Sequence, residues 1–178
     1  MAALSDYIRV SLLYEYGGLW IDSTVFCSQK LPAKIFESKL FTVKSQPSGT
    51  KYVAAGKWNV QILGTNEKHS RVFFLIKDIF EQYWKKYSVL TDYLLVDYSF
   101  EYIYENDREC RADFDAVPYS NGKMHELLTM MNEPYDSSYF DERGKEGTYL
   151  FKLTYKMPFV EGNKGKKTFY SYILNSSE

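Results

Sequence analysis

The residues best equipped for chemistry crowd the start of the chain. Asp6 and Arg9 stand three residues apart in LSDYIRVSLLYEY, and Asp22 follows the run Gly17-Gly18-Leu19-Trp20-Ile21. A carboxylate offers acceptors to hydroxyls or to a hard cation, and a guanidinium presents a planar fork of donors to phosphate. The spacing predicts a helix over Ser5–Tyr16, with Ser5 as N-cap and Gly17-Gly18 as its stop. Leu19–Ile21 then predicts a buried strand. Twelve helical residues climb about 18 Å at ~1.5 Å each, and a returning strand of four or five residues covers about 13–16 Å at ~3.3 Å each. Asp22 is therefore expected level with the first helical turn, lining one cleft with Asp6 and Arg9. Such a grouping suits a negatively charged ligand and a cation. Taken singly, Asp6 is also explained as an acid favoured by the helix dipole, and Arg9 as its i,i+3 partner.

The elements that must hold these residues read as mixed α/β without regular βαβ alternation. A loop is expected over Phe26–Pro32, with Pro32 opening a helical turn. Strands are expected at Leu40–Val43, Tyr52–Ala55, Trp58–Leu63 and Tyr149–Tyr155, and a loop at Ser45–Lys51. The turn signal Thr65-Asn66-Glu67 precedes the longest helix, Ser70–Tyr87. Its Val72, Leu75, Ile76, Ile79, Phe80 and Tyr83 fall at helical spacing. Further helices are expected over Leu90–Glu105, His125–Met131 and Thr168–Leu174, with an extended piece at Ala116–Pro118. The Gly- and Lys-rich Glu161–Lys167 is expected to be flexible.

Composition narrows the classes. A chain of 178 residues, 45% apolar, is expected to form one domain over 1–178 with a substantial core. Its 17 Tyr and 12 Phe predict an aromatic core with tyrosine tips in water, or less simply a stacking surface for sugars. A net charge of −1 argues against a nucleic-acid partner held by a phosphate-binding face. Cys27 and Cys110 are far apart and show no CxxC spacing, so reduced thiols in a cytoplasmic setting are expected. The N-terminus carries no signal-peptide pattern, and no apolar run approaches a membrane span. A peripheral place at the inner face of a membrane, through a partner, is compatible with this.

The block LSDYIRVSLLYEYGGLWIDSTVFCSQKLP resembles the "SDxxR…LLYxYGGxWxDxT" block of bacterial capsular polysaccharide synthesis proteins. These are similar to glycosyltransferases whose block ends in "GGxYxDxD", including alpha-mannosyltransferases and the glucosylating domain of large clostridial toxins. The matching residues are Ser5-Asp6, Arg9, Leu12-Leu13-Tyr14, Tyr16-Gly17-Gly18, Trp20 and Asp22-Ser23-Thr24. YWKKY at Tyr83–Tyr87, TDYLLVDY at Thr91–Tyr98, VPYSN at Val117–Asn121 and FKLTYK at Phe151–Lys156 also resemble that family.

The resemblance implies a GT-A-like nucleotide-sugar transferase fold. Its substrates would be a nucleotide-diphosphate sugar donor and a saccharide acceptor. It assigns Asp6 and Arg9 to the donor, and Asp22 with Thr24 to a divalent cation, Mn²⁺ or Mg²⁺. Thr24 replaces a carboxylate with a neutral hydroxyl, a weaker ligand for a hard cation. The N-terminal nucleotide-binding half of such a fold is absent from this sequence, which leads to the expectation that something precedes the first helix. An exposed apolar patch would then favour self-association or docking on membrane-bound polysaccharide synthesis machinery. Lys152 and Lys156 are candidates for the donor diphosphate, and Asp92 and Asp97, expected on the second long helix, for the acceptor. No catalytic base stands out. The rival expectations are a truncated relative without turnover, acting as an interaction module, and a saccharide-binding protein using exposed Tyr and Trp.

Overall fold

The computed structural model describes residues 2–44 and 52–175, and the expected loop at Ser45–Lys51 lies outside them. In chain order the elements begin with α1 (Ala2–Tyr16), β1 (Gly18–Ile21), β2 (Val25–Cys27), α2 (Lys34–Glu37), β3 (Phe41–Thr42), β4 (Ile62–Thr65) and α3 (Arg71–Lys86). There follow α4 (Leu95–Asn106), α5 (Arg108–Ala116), α6 (Glu126–Met130), α7 (Tyr139–Lys145) and β5 (Leu150–Lys152). The last are β6 (Gly162–Asn163), β7 (Lys166–Lys167) and α8 (Phe169–Asn175). This is a mixed α/β chain with small antiparallel sheets. It divides into two compact units, Met1–Ile21 with Pro32–Tyr119 and Asp22–Leu31 with Ser120–Glu178.

In the first unit β4 is the middle strand of three, between β1 and β3. All of its residues are buried, which is why ILGT reads as an uninterrupted run rather than an alternation. α1 packs on α3, α3 on α4, and α4 on α5. Val10 and Leu13 of α1 meet Phe73, Ile76 and Phe80 of α3 in the core. The rings of Trp58, Phe100 and Phe114 gather with centroids 5.4–5.8 Å apart, so the aromatic core expected from composition is present. The helix-to-strand reversal at Gly17-Gly18 needs glycine. Gly17 has φ +67°, and a Cβ there would stand 3.2 Å from the Thr65 carbonyl oxygen. The Gly17 N–H closes α1 by donating to the Leu13 carbonyl at 2.9 Å.

In the second unit β2 pairs antiparallel with β5, placing Val25 opposite Lys152 and Cys27 opposite Leu150. Leu127, Met131, Tyr139, Phe151 and Phe169 form its core. Tyr135 stacks on Tyr172 with ring centroids 4.0 Å apart.

Several expectations are corrected. α1 begins at Ala2, so Ser5 is inside the helix rather than its N-cap, and Asp6 is not in the first turn. Tyr52–Ala55 is turn rather than strand, and the strand expected from Trp58 starts only at Ile62. The Asn59 side chain accepts from the Gln61 N–H at 2.9 Å, a local turn that competes with extended pairing. Thr65 ends β4 instead of opening a turn, and Phe26 and Cys27 lie in β2 instead of a loop. The second long helix starts at Leu95 because the Asp92 carboxylate accepts from the Leu94 N–H at 2.7 Å and turns the chain before it. α5 and α7 were not expected. Glu161–Lys167 contains the β6–β7 hairpin, whose turn places Lys164 and Gly165 at φ 51° and 74°.

Candidate functional site

The first unit holds one group of expected site residues. Asp6 and Arg9 stand on one face of α1, with Arg9 Nη1 3.1 Å from Asp6 Oδ1. The Arg9 guanidinium is 5% exposed and its central carbon lies 5.3 Å from the Trp20 ring centroid. Trp20 reaches it because the Gly17-Gly18 reversal returns β1 alongside α1, where Trp20 pairs with Leu63 of β4. The reversal predicted from sequence therefore forms, and it brings Trp20 to Arg9. Burying a guanidinium costs several kcal/mol unless paired partners surround it. Asp6 and the negative face of an indole supply part of that compensation.

Asp97 sits in the first turn of α4 and accepts from the Trp58 indole N–H at 3.0 Å. Burial pushes its carboxyl above the ordinary range, against the opposing pull of the Trp58 bond and the Arg9 charge. Asp97 is thus within the field of Arg9. Asp92 is not part of this group: it is exposed and spent on the turn before α4. Lys57 adds a cation over the Trp58 and Tyr104 rings, at 5.0 and 4.6 Å, and pairs with Glu101 at 2.6 Å.

The second unit holds the other group. Asp22-Ser23-Thr24 makes a tight turn closed by Val25 N–H donating to the Asp22 carbonyl at 2.9 Å. The Thr24 carbonyl takes the Leu153 N–H at 2.8 Å, so the turn is stitched to the end of β5. The β2–β5 register then delivers the Lys152 ammonium to the Thr24 hydroxyl, to which it donates, and to the Leu153 carbonyl at 3.3 Å. Desolvation lowers the Lys152 pKa, the Asp22 charge opposes this, and Lys156 adds to the lowering. His125 is also lowered, by desolvation first and by the Lys152 charge second, although part of the residue reaches solvent. Lys156 itself is exposed. A cavity of about 270 Å³ beside the turn is lined by Ser23, Thr24, Thr154 and Tyr155 among others.

A family model described as capsular polysaccharide synthesis protein matches residues 1–173. The chain belongs to that family. No curated protein and no solved structure matches it. Membership places the chain in capsular polysaccharide synthesis. No described helix is long and apolar enough to cross a membrane.

For this capsular synthesis protein the sequence block and the folded units are not coextensive. The first segment of one unit ends at Ile21 and the other unit begins at Asp22, so the string GGLWIDST is shared between them. The residues at the Asp22 turn do not fit a divalent cation held by protein. Asp22 is the motif's one carboxylate, and the Thr24 hydroxyl already receives an ammonium. Among the described residues no three His, Cys, Asp or Glu side chains converge on a point. Sequence reasoning missed the Trp20 and Trp58 contacts. Their only sequence signal was tryptophan in short, otherwise turn-rich stretches. A cavity of about 680 Å³ between α3 and α4 contains none of the expected site residues.

Proposed function

We propose that this capsular synthesis protein is a glycosyltransferase of GT-A type that moves a sugar from a nucleotide-diphosphate donor to a growing saccharide. The observation that supports it best is Arg9. A guanidinium that is 5% exposed, clamped by Asp6 and laid against Trp20, is costly as core and superfluous as surface. A fixed planar fork is well suited to phosphate or sugar oxygens.

In the reaction the anomeric C–O bond to the diphosphate breaks and a bond to an acceptor hydroxyl oxygen forms. The products are the extended saccharide, the nucleoside diphosphate and the acceptor's proton. Arg9 would bind donor oxygens, and Asp6 would accept hydrogen bonds from sugar hydroxyls while holding Arg9 in place. Asp22, Lys152 and, more loosely, Lys156 would face the diphosphate. Asp97 is the better of the two acceptor candidates, since Asp92 is occupied in a turn.

The test is release of nucleoside diphosphate from a panel of UDP-, GDP- and dTDP-linked sugars in the presence of capsular oligosaccharide. Wild type should turn over or bind at least one donor. Arg9→Lys should lower donor affinity about tenfold, because a point charge cannot reproduce the fork. A chain that neither binds nor turns over any donor refutes the reading.

A further inference from the structure

We infer that the Lys152 ammonium takes the place of a divalent cation at the Asp22-Ser23-Thr24 turn, so that a diphosphate is held there without metal. The inference rests on the donor reading only for the source of that diphosphate.

The geometry lies wholly within the second unit. The β2–β5 pairing sets Lys152 opposite Val25, one residue beyond Thr24, and fixes its reach. Of its three N–H groups, one goes to the Thr24 hydroxyl and one to the Leu153 carbonyl at 3.3 Å, which leaves the third for a ligand. Because Thr24 accepts from Lys152, its own O–H is free to turn outward as a donor. The turn therefore presents donors where a metal would need lone pairs. The Thr24 oxygen, the second ligand expected from the sequence, has its lone pair directed at an ammonium.

Charge points the same way. Asp22 and Lys152 balance each other, Lys156 contributes a further positive charge, and His125 adds none when neutral. A dication placed beside Asp22 would face the lysine charge as well as the carboxylate. An anionic diphosphate would instead face two lysines and one carboxylate. As the anomeric bond breaks, its electron pair stays on the diphosphate oxygen, and a fixed ammonium is a suitable countercharge.

Two measurements on the full chain test this, neither requiring turnover. The first is calorimetric titration of inorganic pyrophosphate in EDTA. Wild type should bind it, Lys152→Arg should retain binding, and Lys152→Met should lose roughly ten- to a hundredfold, the usual weight of a hydrogen bond to a charged group. The second is Mn²⁺ titration followed by electron paramagnetic resonance. Lys152→Met should bind Mn²⁺ about tenfold or more tightly than wild type, and adding Asp22→Asn should abolish the gain. Pyrophosphate binding that requires Mn²⁺, is equal in Lys152→Met, or is absent altogether would overturn the inference. So would equal Mn²⁺ affinity in wild type and Lys152→Met. Thermal unfolding of each variant separates these results from misfolding. If pyrophosphate binds as expected but no nucleotide sugar is bound or turned over, the transferase reading fails and the lysine assignment stands.

Discussion

Asp97→Asn and Asp97→Ala should behave differently, and the difference isolates what the carboxylate does. Trp58 is 3% exposed and donates its indole N–H to Asp97 Oδ1 at 3.0 Å. Alanine strands that donor away from water, a loss of about 1–3 kcal/mol. Asparagine keeps an oxygen in the same place and removes a charge that burial disfavours. The Asp97 carboxyl is raised chiefly by desolvation, against the Trp58 bond and the Arg9 charge. An acid with a raised folded pKa contributes stability below its unfolded value and loses it as pH rises through the folded one. Asp97→Asn should therefore gain on wild type as pH climbs above the unfolded value near 4. Urea unfolding followed by tryptophan fluorescence reads both effects. With a slope of about 2 kcal/mol/M, alanine should lower the midpoint by roughly 0.5–1.5 M at pH 7. An asparagine variant as damaged as alanine, or an alanine variant unchanged from wild type, would refute the account of the Trp58 bond. If asparagine is stable yet weakens acceptor binding, the charge itself meets the acceptor.

Asp107 caps α5 through the N–H groups of Glu109 and Cys110, at 3.1 and 3.0 Å, and pairs with Arg71 at 2.6 Å. Asp107→Ala should cost about 1–2 kcal/mol in chemical unfolding at pH 7. The Asp107 carboxyl is held well below the usual range, first by Arg71, so the gap should persist above the unfolded value near 4 and close as acid is added. Gly64→Ala would place a Cβ 2.9 Å from Leu19 Cδ1 and 3.1 Å from the Gly18 carbonyl oxygen, and should cost about 1–3 kcal/mol in thermal or urea unfolding. Of the two thiols, exposed Cys27 should react with a disulfide reagent at pH 8, whereas Cys110, fully buried and pushed up to about 12 by desolvation, should react only on unfolding. Equal labelling rates in native buffer would contradict the burial of Cys110.

Strong periodicity was the most legible part of the fold. The Val72, Ile76 and Phe80 stripe identified α3 within one residue at each end, and the glycine pair identified the end of α1. Elements governed by side-chain-to-backbone bonds were harder to read. Asp92 delays α4, Asp107 starts α5, and Asn59 turns the chain ahead of β4, each by capturing a nearby N–H. Asp and Asn also occur in ordinary loops, so their identity alone does not reveal which will act as caps. The β6–β7 hairpin was obscured for a related reason. Lysine and glycine suggest mobility, but Lys164-Gly165 at positive φ is the turn a two-residue hairpin requires.

The candidate site divides along the same line between local and distant information. Asp6 and Arg9 are neighbours on a helix, so their ion pair follows from spacing alone. The contact of Lys152 with Thr24 spans 128 positions and depends on β-strand register, and a shift of one residue would turn the ammonium to the opposite face. Sequence could nominate Asp22 and Thr24 as a weak metal pair and Lys152 as a separate phosphate candidate, but not place the lysine on the threonine. That single contact changes the chemistry of the turn. A hydroxyl facing solvent can lend a lone pair to a metal, whereas one already accepting from an ammonium becomes, with it, a donor pair for an anion. The substitution of a second carboxylate by Thr24 therefore need not weaken the site. If a diphosphate binds here as proposed, threonine at position 24 removes a negative charge that would have opposed it.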